Sequence, residues 1–374
     1  MSNPFRIEAI RPGQPFCDRQ EELALLLGHA RDFRNVMLTS PRRYGKTSLA
    51  LRAEDALAGE GFVCVHADFF GADSVEDVAR RIGRALLRGL DRRESLLHKG
   101  KRFLKGLSAF RPVFKPSGDG FSLSVERASE SIAPEQLLEN TLDDLAHVAA
   151  EAPFPLYVVL DEFQEITRLK ESGQIEGMLR AATQGMEAGF LFLGSRRGVL
   201  RAIFNERKRP LFQSALPMEL GPLPADETVR FLCDLFAQSG KRIAPDDAAA
   251  IHALVAGYPY YVQRLAGEVH QGAGETISRE DIDAALRRVV HGERYGYQAV
   301  LAMLTPGQIR ILRAVAAHPE RELQSAHFVA LAGAPASSIA FTARRLAEED
   351  LIEQGPDGRW RVVDPVFGLW LGEL

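Results

Sequence analysis

The stretch Leu38-Thr-Ser-Pro-Arg-Arg-Tyr-Gly-Lys-Thr-Ser-Leu49, LTSPRRYGKTSL, decides the fold expected for this chain. It departs from the phosphate-loop pattern G-x-x-x-x-G-K-[ST] at the first position, where Ser40 stands in place of glycine. A short apolar run of strand character, 36–39, precedes the loop, and a segment with helical spacing, Ser48 to Gly61, follows it. A strand, a loop and a helix in this order predict a phosphate-binding loop, whereas a chance G-K-T at a helix start is the alternative.

The chemistry of such a loop explains which of its positions can vary. Backbone N–H groups surround the β- and γ-phosphates, so most side chains of the loop point elsewhere. Gly45 lies where a side chain would collide with the phosphates, Lys46 supplies a positive charge, and Thr47 offers a hydroxyl to Mg²⁺. The first position needs only a small residue that tolerates a tight turn, so we expect serine to be accepted there. The predicted nucleotide contacts in the loop are Ser40, Pro41, Arg42, Arg43, Tyr44, Gly45, Lys46, Thr47 and Ser48.

Two further apolar runs end in polar residues. The run 156–160 is followed at once by Asp161 and Glu162, and the run FLFLG by Ser195 and Arg196. Because ligands bind beyond the carboxyl ends of strands in an open parallel sheet, these residues are expected to face the same crevice as the loop. Asp161 suits a position near Mg²⁺, and Glu162 suits the orientation or deprotonation of the attacking water. Ser195 or Arg196 could sense the γ-phosphate, although serine and arginine are common at strand ends.

Five motifs together resemble the archaeal-type predicted ATPases, members of the AAA+/STAND group of P-loop NTPases. They are FCDRQEEL (16–23), SPRRYGKTSL (40–49), VVLDEFQEI (158–166), FLFLGS (190–195) and VAGYPYYVQRLAGEV (255–269). The resemblance implies that the nucleotide is ATP, that Arg19 lies near its base and ribose, and that Pro259 contacts it from a helical lid. Tyr260 stands where many AAA+ proteins carry a lid arginine, which implies a slow switch. Arg264 could compensate for that arginine, or it could be an exposed helix residue.

The order of the patterns predicts an α/β protein with three parts. Residues 1–220 form a P-loop αβα sandwich with a mostly parallel sheet, residues 221–300 a helical lid, and residues 301–374 a winged-helix domain with 335–346 as its recognition helix. Asp226 is predicted to cap the first lid helix. An insertion at about 91–130 contains alternating Phe121, Leu123 and Val125, typical of a β-hairpin.

Composition and charge limit the partners. A 374-residue chain with 46% hydrophobic and 26% charged residues is typical of a soluble multidomain protein. Three scattered cysteines, the absence of a signal-peptide pattern and the shortness of the apolar runs favour a cytoplasmic protein without a membrane span. The predicted winged helix carries seven arginines, no lysine and nine acidic residues, and a DNA reader normally presents a basic face.

Positive charge is concentrated elsewhere in the sequence. Residues 91–115 carry eight basic and two acidic residues, and residues 194–213 carry six basic residues and one acidic residue. Both segments are either solvated faces or binding surfaces. In the second case the insertion contacts nucleic acid or an acidic partner, with Phe103 and Phe110 stacking or packing. Arg207 or Arg209 could reach the ATP of a neighbouring subunit in a homo-oligomer.

These residues predict a Mg²⁺-dependent switch ATPase that binds ATP between the α/β unit and the lid and couples its nucleotide state to the winged helix. A nucleotide-gated scaffold or DNA-binding regulator with little turnover is the alternative. No acceptor-phosphate motif supports a third class, the nucleotide kinases.

Overall fold

The computed structural model describes residues 3–93, 107–117, 120–129, 132–355 and 357–373. The residues group into two units. One contains 19–40 and 46–220, and the other contains the residues up to Asp18, the loop residues 41–45 and the residues from Gly221 onward.

The first unit is built on a parallel sheet of five strands in the order β2-β5-β6-β1-β7. Its strands are β1 (Val36–Thr39), β2 (Val63–Asp68), β5 (Leu156–Asp161), β6 (Ala188–Gly194) and β7 (Leu216–Glu219). Every residue of β1, β5 and β6 is buried, as expected for strands covered on both faces. The predicted parallel α/β sheet is confirmed, and β1, β5 and β6 end at one edge.

Helices cover this sheet. They are α1 (Gln20–Arg31), α2 (Lys46–Gly59), α3 (Val75–Arg93), α4 (Pro134–Glu151), α5 (Ser172–Gly185) and α6 (Arg197–Asn205), with a 3₁₀ helix at Phe163–Arg168. Helix α2 begins two residues before the predicted start at Ser48, so Lys46 and Thr47 lie in its first turn.

The predicted hairpin of the insertion is confirmed. Strands β3 (Phe110–Ser117) and β4 (Gly120–Arg127) pair antiparallel. Phe110 is buried against α3, where a Cβ added to Gly83 would lie 2.5 Å from the Phe110 ring. Phe110 is therefore a packing residue of the core and not a stacking group for nucleic acid. Phe103 and much of the basic segment 91–115 lie outside the described residues.

The second unit is largely helical. Its first helices are α7 (Ala225–Gln238), α8 (Pro245–Leu254), α9 (Pro259–Gly272) and α10 (Arg279–Ala302). The predicted cap at Asp226 is wrong, because Pro224 occupies the N-cap position in an extended conformation and Asp226 lies inside the first turn. There its carboxylate can interact favourably with the positive end of the helix dipole.

The C-terminal elements have the predicted winged-helix order. Helices α11 (Pro306–Ala317), α12 (Ala326–Ala332) and α13 (Ala336–Glu348) precede a two-stranded wing, β8 (Ile352–Gln354) and β9 (Trp360–Val362), and helix α14 (Pro365–Glu373) follows it. Helix α13 occupies the recognition-helix position, with Pro335 as its N-cap.

The contacts divide the chain at residue 220, where a boundary was predicted, and group the residues from Gly221 onward in one unit with no division at 300. Helix α10 runs unbroken across residue 300, and one apolar cluster contains buried residues from α7 through α14. The same cluster includes Phe5, whose ring lies 4.7 Å from that of Phe236 between centroids. Burial of this aromatic side chain explains why the N-terminal segment groups with the helical unit. No single helix in the described ranges is both long and apolar enough to cross a membrane.

Candidate nucleotide site

Lys46 and Ser40 form the centre of the candidate site, at the carboxyl end of β1. Lys46 is buried, and its Nζ donates to the Ser40 carbonyl oxygen at 3.2 Å and to Ser40 Oγ at 3.1 Å. The serine in place of the first glycine therefore supplies an acceptor that holds the lysine in position. Ser40 is fully buried, which explains why only a small side chain fits there.

Thr47 and Asp161 come together from α2 and the end of β5. Thr47 Oγ1 donates to Asp161 Oδ2 at 2.8 Å. Oxygen donors of these two types are those that Mg²⁺ prefers, so the pair fits the predicted metal role. The residues were predicted separately as metal contacts, and the structure brings them together. Within the described residues, no group of three or more His, Cys, Asp or Glu side chains is arranged to bind a metal by itself.

His66 contacts Asp161, and the sequence analysis missed it. Its Nε2 lies 3.8 Å from Asp161 Oδ2, and its Nδ1 lies 2.5 Å from Glu54 Oε1. Burial by itself lowers the pKa of His66, but the neighbouring carboxylates of Asp161 and Glu54 raise it to about 10. Burial raises the pKa of Asp161, but the contact with His66 and the hydrogen bond from Thr47 lower it below its ordinary value. Asp161 is therefore held as a carboxylate.

Glu162 is held by two side chains from neighbouring elements. Ser195 Oγ donates to Glu162 Oε2 at 3.0 Å, and Gln164 Nε2 donates to the same oxygen. Glu162 has a left-handed backbone with φ of 49°, which separates the direction of its side chain from that of the preceding Asp161. Glu162 and Ser195, which were predicted with separate roles, are thus brought together, and Gln164 is an additional residue that its place in the D-E-F-Q string could have indicated.

Gly194, the last residue of β6, allows this arrangement. A Cβ added at Gly194 would lie 2.3 Å from Gln164 Oε1, so a larger residue would displace the glutamine that holds Glu162. Arg196, the other sensor candidate, is exposed at the N-cap of α6. The next residue, Arg197, is buried, and its Nη1 lies 3.9 Å from Glu219 Oε1.

Within the second unit, the loop residues 41–45 contact helix α9. The ring of Tyr44 meets that of Tyr258 edge-on with 4.6 Å between centroids, and Tyr258 Oη donates to the Arg42 carbonyl oxygen at 2.5 Å. The guanidinium carbon of Arg43 lies 4.1 Å from the ring centroid of Tyr260, a cation–π distance. Tyr260, in the place expected for a lid arginine, therefore holds a loop residue.

Gly45 needs to be glycine for its backbone. Its φ is 86°, in the left-handed region, and no protein atom lies within 4 Å of an added Cβ. The backbone conformation alone is enough to favour glycine here. The collision of a side chain with bound phosphates therefore stays a prediction.

The remaining predicted contacts lie on several elements. Arg19 is buried at the N-cap of α1 with a left-handed φ of 72°, and its Nη1 lies 2.8 Å from Glu22 Oε1. Ser48 is buried in the first turns of α2, and Pro259 is the first residue of α9. Arg264 is one third exposed and pairs with Glu268, and the choice between its two interpretations stays a prediction.

The arginines considered for partner binding differ in their pairing. Arg209 pairs with the buried carboxylate of Glu176, whereas Arg207 is exposed. On the wing, Arg361 pairs with Glu353 at 2.8 Å. Arg344 and Arg345 are exposed on α13, and the acidic residues Glu348 and Glu349 follow them at the end of that helix.

Comparison with known proteins identifies the fold. Residues 295–373 match a family described as a probable winged helix domain. A Walker-type ATPase of Pyrococcus abyssi has a similar structure, with a TM-score of 0.71 and 17% sequence identity over 98% of this chain and 99% of the other. The ORC2 protein of Aeropyrum pernix, solved in ADPNP and ADP complexes, gives a TM-score of 0.59 at 15% identity over 99% and 96% of the two chains. None of the curated proteins matches by sequence.

These similarities confirm the fold predicted from the motifs. The chain has the architecture of archaeal Walker-type ATPases and ORC proteins, a parallel P-loop sheet with helices, and it ends in a winged-helix domain.

Proposed function

We propose that this chain, with the fold of the Walker-type ATPases, is a Mg²⁺-dependent ATP-binding switch that hydrolyses ATP slowly. One observation carries the proposal. The ends of three neighbouring strands bring together a buried lysine, a hydroxyl–carboxylate pair and a second carboxylate held by a serine, which are the groups that ATP hydrolysis requires.

Each residue has a role that follows from its position. Lys46 binds the β- and γ-phosphates together with the loop amides, and Thr47 and Asp161 hold the metal ion. When bound, Mg²⁺ neutralises charge on the phosphates. His66 keeps the Asp161 carboxylate in place through the contact described above.

Glu162 is the proposed base for the attacking water. Its Oε2 accepts from Ser195 and Gln164, which leaves Oε1 for a water molecule. Ser195 must therefore rearrange, or share its hydroxyl, when a γ-phosphate is sensed. This restraint on Glu162 is consistent with slow turnover, and it also supports the alternative proposal, a nucleotide-gated scaffold or DNA-binding regulator.

A chain of aromatic contacts supports coupling to the winged helix. It starts at loop residue Tyr44 and passes through Tyr258 to Tyr261, whose rings are 5.2 Å apart between centroids. Tyr261 Oη then donates to Asp364 Oδ2 at 2.7 Å, at the start of α14 in the winged-helix region. A rearrangement of the phosphate loop would thus reach the winged helix through packed side chains.

Steady-state ATP turnover with Mg²⁺ tests the proposal, with Lys46→Ala and Glu162→Gln beside the unsubstituted protein. We expect slow turnover that both substitutions abolish, while Glu162→Gln still binds ATP. Binding without turnover in the unsubstituted protein would favour the scaffold, and binding that survives Lys46→Ala would reject the site. Turnover repeated with duplex and single-stranded DNA tests whether nucleic acid is a partner.

A further inference from the structure

A second basic pocket lies where β2 ends against α3. Its volume is about 490 Å³, within the range of small-ligand sites. The lining residues are His66, Ala67, Asp68, Asp77, Arg80, Arg81, Arg84, Ala85 and Arg88. The phosphate-loop residues are not among them, so the pocket is distinct from the phosphate loop, and His66, which contacts Asp161, is shared with the candidate nucleotide site.

Two of the four lining arginines are held in place by protein groups. Asp77 is buried and accepts from Arg80 at 2.5 Å and from Arg81 at 2.8 Å. Arg81 also donates to the carbonyl oxygens of Asp68 and Phe70, at 2.7 and 3.0 Å. These contacts neutralise the charge of Asp77 and fix the positions of Arg80 and Arg81 in the wall of the pocket.

Arg84 and Arg88 provide the positive charge that this network does not neutralise. Four residues apart on α3, they lie on the same helix face. Among the described residues neither has an ion-pair partner, and Arg84 Nε is buried without a hydrogen-bond acceptor. A buried donor left without an acceptor destabilises the fold, so an anion that accepts from Arg84 would remove that cost.

We propose that this pocket binds a small phosphorylated anion through Arg84 and Arg88. The planar guanidinium groups match phosphate oxygens with paired N–H donors, and two of them suit a ligand with more than one phosphate. The carboxylates of Asp68 and Asp77 also line the pocket. Asp77 is neutralised by Arg80 and Arg81, and the pocket volume of about 490 Å³ matches a compact anion. The site goes beyond the proposed ATPase function and does not depend on it.

Calorimetric titration of the full chain with inorganic triphosphate tests the proposal. The double variant Arg84→Gln and Arg88→Gln loses two charge-assisted contacts to the anion. We therefore expect it to bind triphosphate at least about tenfold more weakly. Arg92→Gln is the matched control, because Arg92 is an exposed arginine on the same helix that does not line the pocket. It should leave the affinity within about twofold, as expected for a substitution outside the contact.

Lys46→Ala separates this site from the phosphate loop. Triphosphate binding that survives Lys46→Ala and disappears in the double variant supports the pocket, whether or not ATP binds at Lys46. Binding that is lost with Lys46→Ala and kept in the double variant would overturn the proposal. Equal weakening by Arg92→Gln would overturn it too, because it would indicate a nonspecific charge effect.

Two further arms complete the test. ADP in place of triphosphate distinguishes a nucleotide from an inorganic anion, and binding of either through Arg84 and Arg88 supports the pocket. Binding of duplex DNA through these arginines without binding of either small anion would overturn it. If the double variant does not fold, as judged by its thermal unfolding, Arg88→Gln alone is used because Arg88 is exposed.

Discussion

At the scale of single residues, Gly194 is the position where an added methyl group would disturb the candidate site. Gly194→Ala would place its Cβ against Gln164 Oε1 and push the glutamine away from Glu162. We expect a loss of about 1–3 kcal/mol in the free energy of unfolding, as for overpacked cores, together with lower ATP turnover.

Gly177→Ala is the matched control for that substitution. Gly177 lies inside α5 with no atom within 4 Å of an added Cβ, so alanine should stabilise by about 0.5–1 kcal/mol. Urea unfolding of both variants measures the difference. Equal stability of the two would show that Gln164 does not need the space beside Gly194.

His66 gives the candidate site a pH-dependent contribution to stability. Its pKa in the folded chain, about 10, lies above the ordinary 6.5. The stabilising effect is therefore complete below the ordinary value and is lost as the pH rises through about 10. His66→Gln should cost roughly 2 kcal/mol near pH 6, because buried carboxylates lose their partner, and much less near pH 10.

Unfolding of His66→Gln and the unsubstituted chain across this pH range measures the effect. His147→Gln, at an exposed histidine of α4, is the control and should show no such trend. A stability difference that grows toward high pH would contradict the charged pair of His66 and Asp161.

At the scale of elements, helices α9, α10 and α14 meet at a buried polar cluster. Tyr261 Oη is 2.8 Å from Tyr297 Oη and donates to Asp364, a carboxylate whose pKa burial raises. Tyr261→Phe leaves that carboxylate with fewer donors, and we expect a loss of about 1–3 kcal/mol in stability. Because Tyr261 is proposed to couple the phosphate loop to the winged helix, we also expect that nucleotide binding no longer changes the surroundings of α14 in this variant.

Tyr295→Phe is the control, since this tyrosine of α10 is two-thirds exposed, at 67%. Urea unfolding compares the stabilities. The fluorescence of Trp370 on α14 reports the coupling when it is measured with and without nucleotide in a Trp360→Phe background, because the chain has two tryptophans. A Tyr261→Phe variant that keeps the full nucleotide-dependent fluorescence change would remove this cluster from the coupling route.

The predictability of elements from sequence depended on how local their signals were. The strand ends at Asp161 and Gly194 follow from apolar runs that stop at polar residues. The start of α7 was harder to predict from the sequence, because Pro224 and Asp226 both suit a helix N-terminus. Only the backbone conformation of Pro224 distinguishes them.

At the scale of the whole molecule, the switch proposal predicts a change of shape with nucleotide state. Small-angle scattering profiles of the chain with Mg²⁺-ADP and with a non-hydrolysable ATP analogue should differ, because the loop contacts helix α9 and the α9–α14 cluster continues that contact. Lys46→Ala, which is expected not to bind either nucleotide, serves as the control. Identical profiles in the unsubstituted protein would argue for a fixed scaffold.

The sequence by itself determined the phosphate loop, the acidic strand end and the winged-helix order, because each rests on residues adjacent in the chain or spaced at a helix or strand period. Only the tertiary structure decided that His66, paired with Glu54, contacts Asp161, that Gln164 holds Glu162, and that Phe5 packs with the C-terminal helices. These contacts join residues through side-chain packing and strand order, and no local periodicity records which distant partners a fold brings within hydrogen-bonding distance.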